Sequence, residues 1–232
     1  MAGFDESRLY SDKPGKVLFF NYINGCRQDV VNLKKKMTNL GWICEDVNAD
    51  SLKDLRNISE GKGKSYSGTI MVFFFGYGYE DQLFLGLSTD ESVSYKIFYQ
   101  ELKKFQTRDE ALIVFTNSCF KKPNKTTYEY VEVDNLAWDV FHFCIKTNGK
   151  CQVGSLMANV ILNKLEDLRY DFLEFATKFT GEINNPTDWE GDVCCAYWVC
   201  YGTSKNIFIN FKPPSKIKRK RESERERELK KK

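Results

Sequence analysis

Two apolar segments decide the fold of this chain: TIMVFFFG at residues 69–76 and ALIVFTNSC at residues 111–119. Each is a short, continuous run of β-branched and aromatic residues, which is typical of a strand buried on both faces of a sheet. Upstream, DVVNLKKKMTNLG at residues 29–41 spaces its apolar residues by three and four positions, which predicts an amphipathic helix that stops at Gly41. Strands that alternate with helices predict an α/β fold, in which helices flank a central, mostly parallel sheet in three layers.

The same patterns continue along the chain. Further strands are predicted at residues 17–21, 42–47, 135–145, 194–201 and 206–211, and further helices at residues 51–60, 95–105, 154–168 and 170–179. The second half offers few strands and would leave an open sheet edge if it folded alone. We therefore expect one domain, preceded by a short extension and followed by a tail. The expected bounds are 1–14 for the extension, 15–212 for the domain (15–120, a link at 121–134, and 135–212) and 213–232 for the tail.

Composition and charge exclude several classes of protein. The 232 residues are 42% hydrophobic, and no apolar run approaches the ~18 residues of a membrane-spanning helix. The formal net charge is +3, of which residues 212–232 account for +7, so residues 1–211 carry −4. A nucleic-acid-binding domain would carry its basic surface on the folded part, so we expect neither nucleic acid nor a membrane as partner. The composition of the tail predicts a disordered, solvated extension, and its KIKRKR run could also serve as a nuclear localisation signal.

The cysteines are expected to be reduced. The chain has eight cysteines and one histidine, His142, without any C-x-x-C pair, so we expect neither a metal site nor a cofactor. The amino-terminal residues are polar and lack an apolar signal core, which disfavours secretion and a disulfide framework. The expected location is cytoplasmic, with a nuclear one compatible with the tail.

Unusual residues follow the two decisive strands. Gly76 ends the first segment and Tyr77 and Gly78 come directly after it, and glycines on both sides of a residue let the backbone approach a ligand closely. Asn117 and Cys119 close the second strand. Reactive groups collect at the carboxyl ends of parallel strands, and a cysteine there is a candidate nucleophile if a base or a positive dipole is close to it.

These residues, FGYG and TNSC, resemble the catalytic segments of the caspase family, and the resemblance covers residues 15–212. Caspases place a histidine in a His-Gly pair at one strand end and a cysteine in a Q-A-C-x-G pattern at the next, about fifty residues later; here the two strand-end positions are 42 residues apart. GKVLFFN is similar to the family's opening strand, GCRQDVVNLKKKMTNLGW to its first helix, FHFC to its F-S-W-R strand, and NIFINFKPP to its last strand.

The resemblance implies a damaged catalytic site. Cys119 takes the nucleophile position and Gly78 an oxyanion-hole position, but Tyr77 stands where the family has its histidine. A phenol with an ordinary pKa of about 10 is a poor general base near neutral pH, and loss of a base typically costs about 10²–10⁴ in rate. His142 aligns with the serine of F-S-W-R and is not expected to act in its place.

The resemblance also implies a damaged substrate pocket. Caspases bind an aspartate side chain through two arginines and a glutamine, and arginine suits this task because it grips a carboxylate with two hydrogen bonds. In this chain Ile23 and Cys144 stand at the arginine positions and Asn117 at the glutamine position, while Phe143 is a further pocket position.

The sequence therefore favours a caspase-like pseudoenzyme, or decoy, that regulates apoptosis or immune signalling as a single uncut chain. Its expected partner is an active caspase, bound through the edge of the last strand with Ile207, Ile209 and Phe211. Two alternatives stay open. One is an active cysteine endopeptidase of altered specificity, in which Cys119 is the nucleophile and another base is recruited. The other is a scaffold that acts through its basic tail.

Overall fold

The central sheet brings together strands from both halves of the chain. A computed structural model describes residues 15–61, 68–86, 91–106, 111–120, 140–148, 154–164, 172–184 and 193–201. In chain order the elements are β1 (Lys16–Asn21), a short 3₁₀ turn (Asn24–Cys26), α1 (Arg27–Asn39), β2 (Ile43–Asp46), α2 (Leu52–Gly61), β3 (Ile70–Tyr79), β4 (Gln82–Phe84), β5 (Ser92–Ser94), α3 (Tyr95–Lys103), β6 (Leu112–Phe120), β7 (Val140–Asn148), α4 (Gly154–Lys164), α5 (Phe172–Asn184) and β8 (Val193–Tyr201).

The strand order is β2-β1-β3-β6-β7-β8, and β4 and β5 form a small antiparallel extension beside β3. The strands from β2 to β7 along this order are parallel to one another, whereas β8 runs antiparallel to β7. The structure thus confirms an α/β fold with a mostly parallel central sheet flanked by helices. None of the helices in the described part of the chain is long and apolar enough to cross a membrane.

Two apolar cores lie on opposite faces of this sheet. One face packs against α1, α4 and α5, and its core includes Phe75, Phe115 and Cys119; we call it the Cys119 face. The other face packs against α2 and α3, and its core includes Val114 and Cys144; we call it the His142 face, after the histidine beside these residues. Because successive residues of a strand point to opposite faces, even and odd positions of β6 belong to different cores.

A ladder of phenylalanine rings crosses the Cys119 face. Phe19, Phe73, Phe115 and Phe143 are register partners on four neighbouring parallel strands. Their stacked rings have centroid separations of 5.2, 5.1 and 4.7 Å in that order. Stacked aromatic pairs contribute ~0.5–1.5 kcal/mol beyond the area that they bury. A shift of any strand by one residue would break the stack, so the ladder also fixes the register.

Local signals explain the helix bounds near the site. α1 buries Val30, Leu33 and Met37 on one side and is followed by Gly41, whose φ of 87° favours glycine. At α3 the side chain of Ser94 accepts a hydrogen bond from the Ile97 amide, which satisfies one of the free amides of the first turn.

The predicted elements differ from the structure in three places. β3 runs on to Tyr79 and turns directly into β4, although the sequence predicted that the strand ends before Gly78. β4 and β5 were missed, because three-residue strands are too short for a periodic pattern. The predicted strand at 135–145 overlaps β7 from Val140 onward, and its first five residues lie outside the described residues. The expected extension, link, tail and last strand, at 1–14, 121–134, 213–232 and 206–211, lie outside the described residues.

Candidate functional site

Tyr77 and Cys119 lie side by side at the carboxyl ends of β3 and β6. The two strands are parallel neighbours, and their register pairs Tyr77 with Cys119 and Phe75 with Asn117. Neighbouring strands are separated by about 4.8 Å, and register partners point to the same face. The two positions that the resemblance assigns to the catalytic pair are therefore adjacent in the fold.

Cys119 is not available as a nucleophile in this structure. Its residue is 1% exposed within the aromatic core of its face, and its sulfur is disulfide-bonded to a cysteine outside the described side chains. The expectation of a reduced thiol is therefore wrong at this position, because spacing along the sequence does not determine which cysteines pair. A sulfur in a disulfide cannot supply the thiolate that attacks a carbonyl carbon.

The free cysteines in the described part of the chain are Cys26, Cys44 and Cys144, as expected. Burial, together with the charge of Asp29, raises the pKa of Cys26 to about 12. Burial also raises the pKa of Cys44, although a hydrogen bond from Thr38 opposes the shift. Thiols with raised pKa values are weak nucleophiles near neutral pH, so neither Cys26 nor Cys44 offers a substitute for Cys119.

Neighbouring atoms occupy the space beside each of the two glycines around Tyr77. A Cβ atom at Gly76 would lie 2.5 Å from the Phe74 ring, and one at Gly78 would lie 3.0 Å from both the Ser118 Cβ and the Gln82 carbonyl oxygen. The sequence suggested that these glycines admit a ligand to the backbone. In the structure they admit close packing of the sheet instead, and Gly78 belongs to the ladders with both β4 and β6.

His142 lies on the opposite face of the sheet from Cys119. Its register partner on β6 is Val114, five residues before Cys119, which is about 16 Å along the strand. Its Nδ1 is 2.6 Å from the Tyr99 Oη, and its Nε2 is 2.7 Å from the Thr116 Oγ1. The only histidine of the chain is thus held by hydroxyl groups and cannot reach the Cys119 sulfur.

Three of the four predicted pocket positions share the Cys119 face. Ile23 and Phe143 belong to its apolar core, and Asn117 lies next to Cys119 on that face with its residue only 1% exposed. Cys144 does not join them, because it follows Phe143 directly and therefore points to the other face. There its Sγ lies 3.5 Å from the Tyr95 Oη.

Asn117 carries a buried side-chain amide on the Cys119 face. Neither its Oδ1 nor its Nδ2 has a hydrogen-bond partner in the described part of the structure. A buried polar group left in this state costs ~1–3 kcal/mol. The predicted pocket position thus carries a neutral side chain in an apolar setting, without a cation that could bind a carboxylate among the described pocket residues.

Sequence reasoning missed the arrangement around His142. Tyr95 and Tyr99 are spaced by four residues on α3 and so lie on one side of the helix, against β6 and β7. The spacing was a usable signal, but the partner strand could not be identified without the register. Among the described residues, no cluster of three or more His, Cys, Asp or Glu side chains could hold a metal ion.

No protein-family model matches the chain, and no curated protein matches it.

Proposed function

We propose that this chain is a catalytically impaired caspase-like protein that regulates an active caspase by forming a heterodimer with it. The observation that carries the proposal is the pairing of Tyr77 with Cys119 on neighbouring parallel strands. From the resemblance to caspases, a histidine and a cysteine are expected at these two strand ends. The cysteine is present, and the phenol in the other position leaves it without a base of suitable pKa.

The state of the sulfur supports the loss of activity. Cys119 is disulfide-bonded, and its residue is 1% exposed. His142, the only histidine of the chain, lies on the other face of the sheet. A caspase-type reaction in this chain would need reduction of the disulfide, exposure of the sulfur and a base from elsewhere.

The pocket positions support the loss of caspase specificity. Ile23, Asn117 and Phe143 share the face of Cys119, and all three side chains are uncharged. Binding of an aspartate side chain at such a site would leave a carboxylate without the charge-assisted hydrogen bonds that contribute ~1.5–3 kcal/mol each. A regulatory role needs neither the base nor the cationic pocket.

The proposed contact with the partner is the apolar segment at residues 206–211, which the sequence predicts to be a strand. β8 is the outermost strand of the described sheet, and residues 206–211 follow it after a gap of only four residues. Alternating Ile207, Ile209 and Phe211 suit a strand that pairs with the edge of another sheet. Such pairing with an active caspase would order or block its active-site loops, in cell death or immune signalling.

Mixing the purified chain with an active caspase tests the proposal. We expect a complex that co-elutes in size-exclusion chromatography and a change in the turnover of a caspase substrate. Ile209→Asp should weaken the complex at least tenfold, because it places a charge at the paired edge. Val31→Asp is the matched control, since Val31 is 55% exposed on α1. This helix contacts β1 and β2, at the opposite end of the described strand order from β8. Absence of both a complex and a change in turnover would contradict the proposal.

The same assay distinguishes this proposal from the alternative in which the chain is a scaffold that acts through its basic tail. A chain that ends at residue 212 retains the proposed contact strand and loses the basic tail. We expect it to bind and regulate the caspase as the full chain does. If deletion of the tail abolishes the effect while Ile209→Asp leaves it intact, the tail and not the strand edge carries the function.

A further inference from the structure

The disulfide at Cys119 lies where the first part of the chain meets the second. Cys119 is the last but one residue of β6, and its register partner on β7 is Thr147. Strand pairing and the stacked rings of Phe115 and Phe143 join the two strands noncovalently. A disulfide from Cys119 to the second part of the chain would join them covalently as well.

The free thiols of the chain narrow down the other cysteine of this disulfide. The chain has eight cysteines, and Cys26, Cys44 and Cys144 are free, so none of these three is the partner of Cys119. The remaining cysteines all follow β7 in the sequence: Cys151, Cys194, Cys195 and Cys200. The disulfide therefore closes a loop that contains the link at 121–134 and the whole of β7.

The strand order favours Cys151 among these four. The other three lie on β8 (Val193–Tyr201), and β7 separates β8 from β6. Two strand spacings are about 10 Å, whereas the Cα atoms of a disulfide are at most about 7 Å apart. Cys151 comes three residues after Asn148, which ends β7 and is the register partner of Phe120, next to Cys119. In the sequence, Cys151 is thus close to the strand end that lies beside Cys119.

A free thiol in the same core does not disturb this bond. Cys26 and Cys119 belong to one apolar core. Exchange with a disulfide requires a thiolate, and burial together with the charge of Asp29 raises the pKa of Cys26 to about 12. The Cys26 thiol therefore stays protonated near neutral pH, and an oxidised pair and a free thiol can coexist on one face of the sheet.

We propose that the Cys119 disulfide is a redox-controlled staple, which joins the part at residues 15–120 to the part at 135–212 through Cys151. Two molecules of a thiol such as glutathione supply the two electrons that open it. The S–S bond breaks, each protein sulfur gains a proton, and the reductant leaves as its own disulfide. In a reducing compartment, such as the expected cytoplasmic one, disulfides are usually transient or redox-sensing. The proposal is independent of the pseudoenzyme function.

Peptide mapping without reductant tests the assignment. The purified chain is unfolded in denaturant that contains N-ethylmaleimide, digested with trypsin and analysed by mass spectrometry. Cys119 is the only cysteine of the tryptic peptide 109–121, and Cys151 is the only one of the peptide 151–164. We expect these two peptides to be joined, to separate after treatment with glutathione, and to be joined again after treatment with glutathione disulfide. Any other partner, or N-ethylmaleimide on Cys119, would overturn the proposal.

Unfolding by denaturant, with and without dithiothreitol, measures what the staple does. Reduction should raise the unfolding equilibrium constant of the wild-type chain by ~30- to 1,000-fold, because the unfolded chain gains the freedom of an open loop. In Cys119→Ala the response should be at least tenfold smaller. Cys26→Ala is the matched control, since it removes a free thiol from the same core and should keep the wild-type response.

A second variant applies if Cys119→Ala fails to fold. Cys151→Ser removes the same bond from the other side and leaves the core residue Cys119 in place. We expect it to respond to dithiothreitol as weakly as Cys119→Ala. Equal responses of the wild-type chain and a variant without the bond would overturn the proposal.

Discussion

The two faces of β6 and β7 carry the two components of a cysteine–histidine pair, and the sheet separates them. On the Cys119 face, stacked phenylalanines surround a sulfur that is held in a disulfide. On the His142 face, hydroxyl groups hold the imidazole against α3. Both residue types needed for the chemistry are present in the chain, but strand parity and about 16 Å of strand keep them apart. The presence of both residue types in the composition therefore does not place them within reach of each other.

The largest predicted effect comes from the phenylalanine ladder of the Cys119 face. Phe115 is 2% exposed and stacks on both Phe73 and Phe143. Phe115→Ala should lower the free energy of unfolding by ~3–5 kcal/mol, because it opens a cavity in the middle of the ladder. Urea unfolding measures the loss, and Phe115→Leu, which keeps most of the volume, should recover much of it. A loss below about 1 kcal/mol would show that the ladder does not stabilise this face.

A smaller effect is expected on the His142 face. Tyr99→Phe removes one hydroxyl group and leaves the Nδ1 of the buried His142 without that partner. We expect a loss of ~1–3 kcal/mol in the free energy of unfolding, measured at pH 8, because an unpaired buried polar atom keeps its full desolvation cost. A neutral result would mean that the Tyr99–His142 hydrogen bond makes no net contribution.

The smallest predicted effect concerns the charged side chains between α2 and α3 on the His142 face of the sheet. Burial alone would lower the pKa of Lys104, but its hydrogen bond and charge interaction with Glu101, followed by those with Glu60, outweigh burial and raise it. A raised folded pKa contributes stability below the ordinary pKa of about 10.5, and this contribution disappears as the pH rises through the folded pKa.

Lys104→Met should therefore cost ~0.5 kcal/mol at pH 8, since the lysine side chain is 40% exposed and the pairs are screened by solvent. The difference between the two chains should shrink as the pH rises through the raised folded pKa of Lys104. Thermal unfolding of both chains across this range measures it. A difference that grows with pH would contradict the assigned direction.

The sequence predicted the fold well where a strand is a long, continuous run of bulky apolar residues. The runs in β3 and β6 identified the centre of the sheet, and the spacing of Val30, Leu33 and Met37 identified α1. Register was not predictable, because it depends on pairing between strands that are distant in sequence. The phenylalanine ladder and the position of His142 against Tyr99 therefore emerged only in the structure.

The candidate site was predicted in part. Tyr77 and Cys119, which the sequence placed at the ends of two strands, are register partners in the structure, whereas the disulfide at Cys119 had no signal in the cysteine spacing. The assignment of Phe143 and Cys144 to one pocket ignored strand parity, since adjacent residues of a strand point to opposite faces. The alternation of side chains along a strand is a sequence-level rule, and it is enough to separate these two residues.

The central claim is that Tyr77 leaves Cys119 without a base, and one comparison tests it most directly. The reduced chain and its Cys119→Ala variant are incubated with a peptide substrate that has an acidic residue before the scissile bond. The account predicts no hydrolysis by either chain, and alkylation of Cys119 that is no faster than that of the buried Cys26 thiol. Hydrolysis at an ordinary enzymatic rate by the wild-type chain, lost in Cys119→Ala, would contradict it.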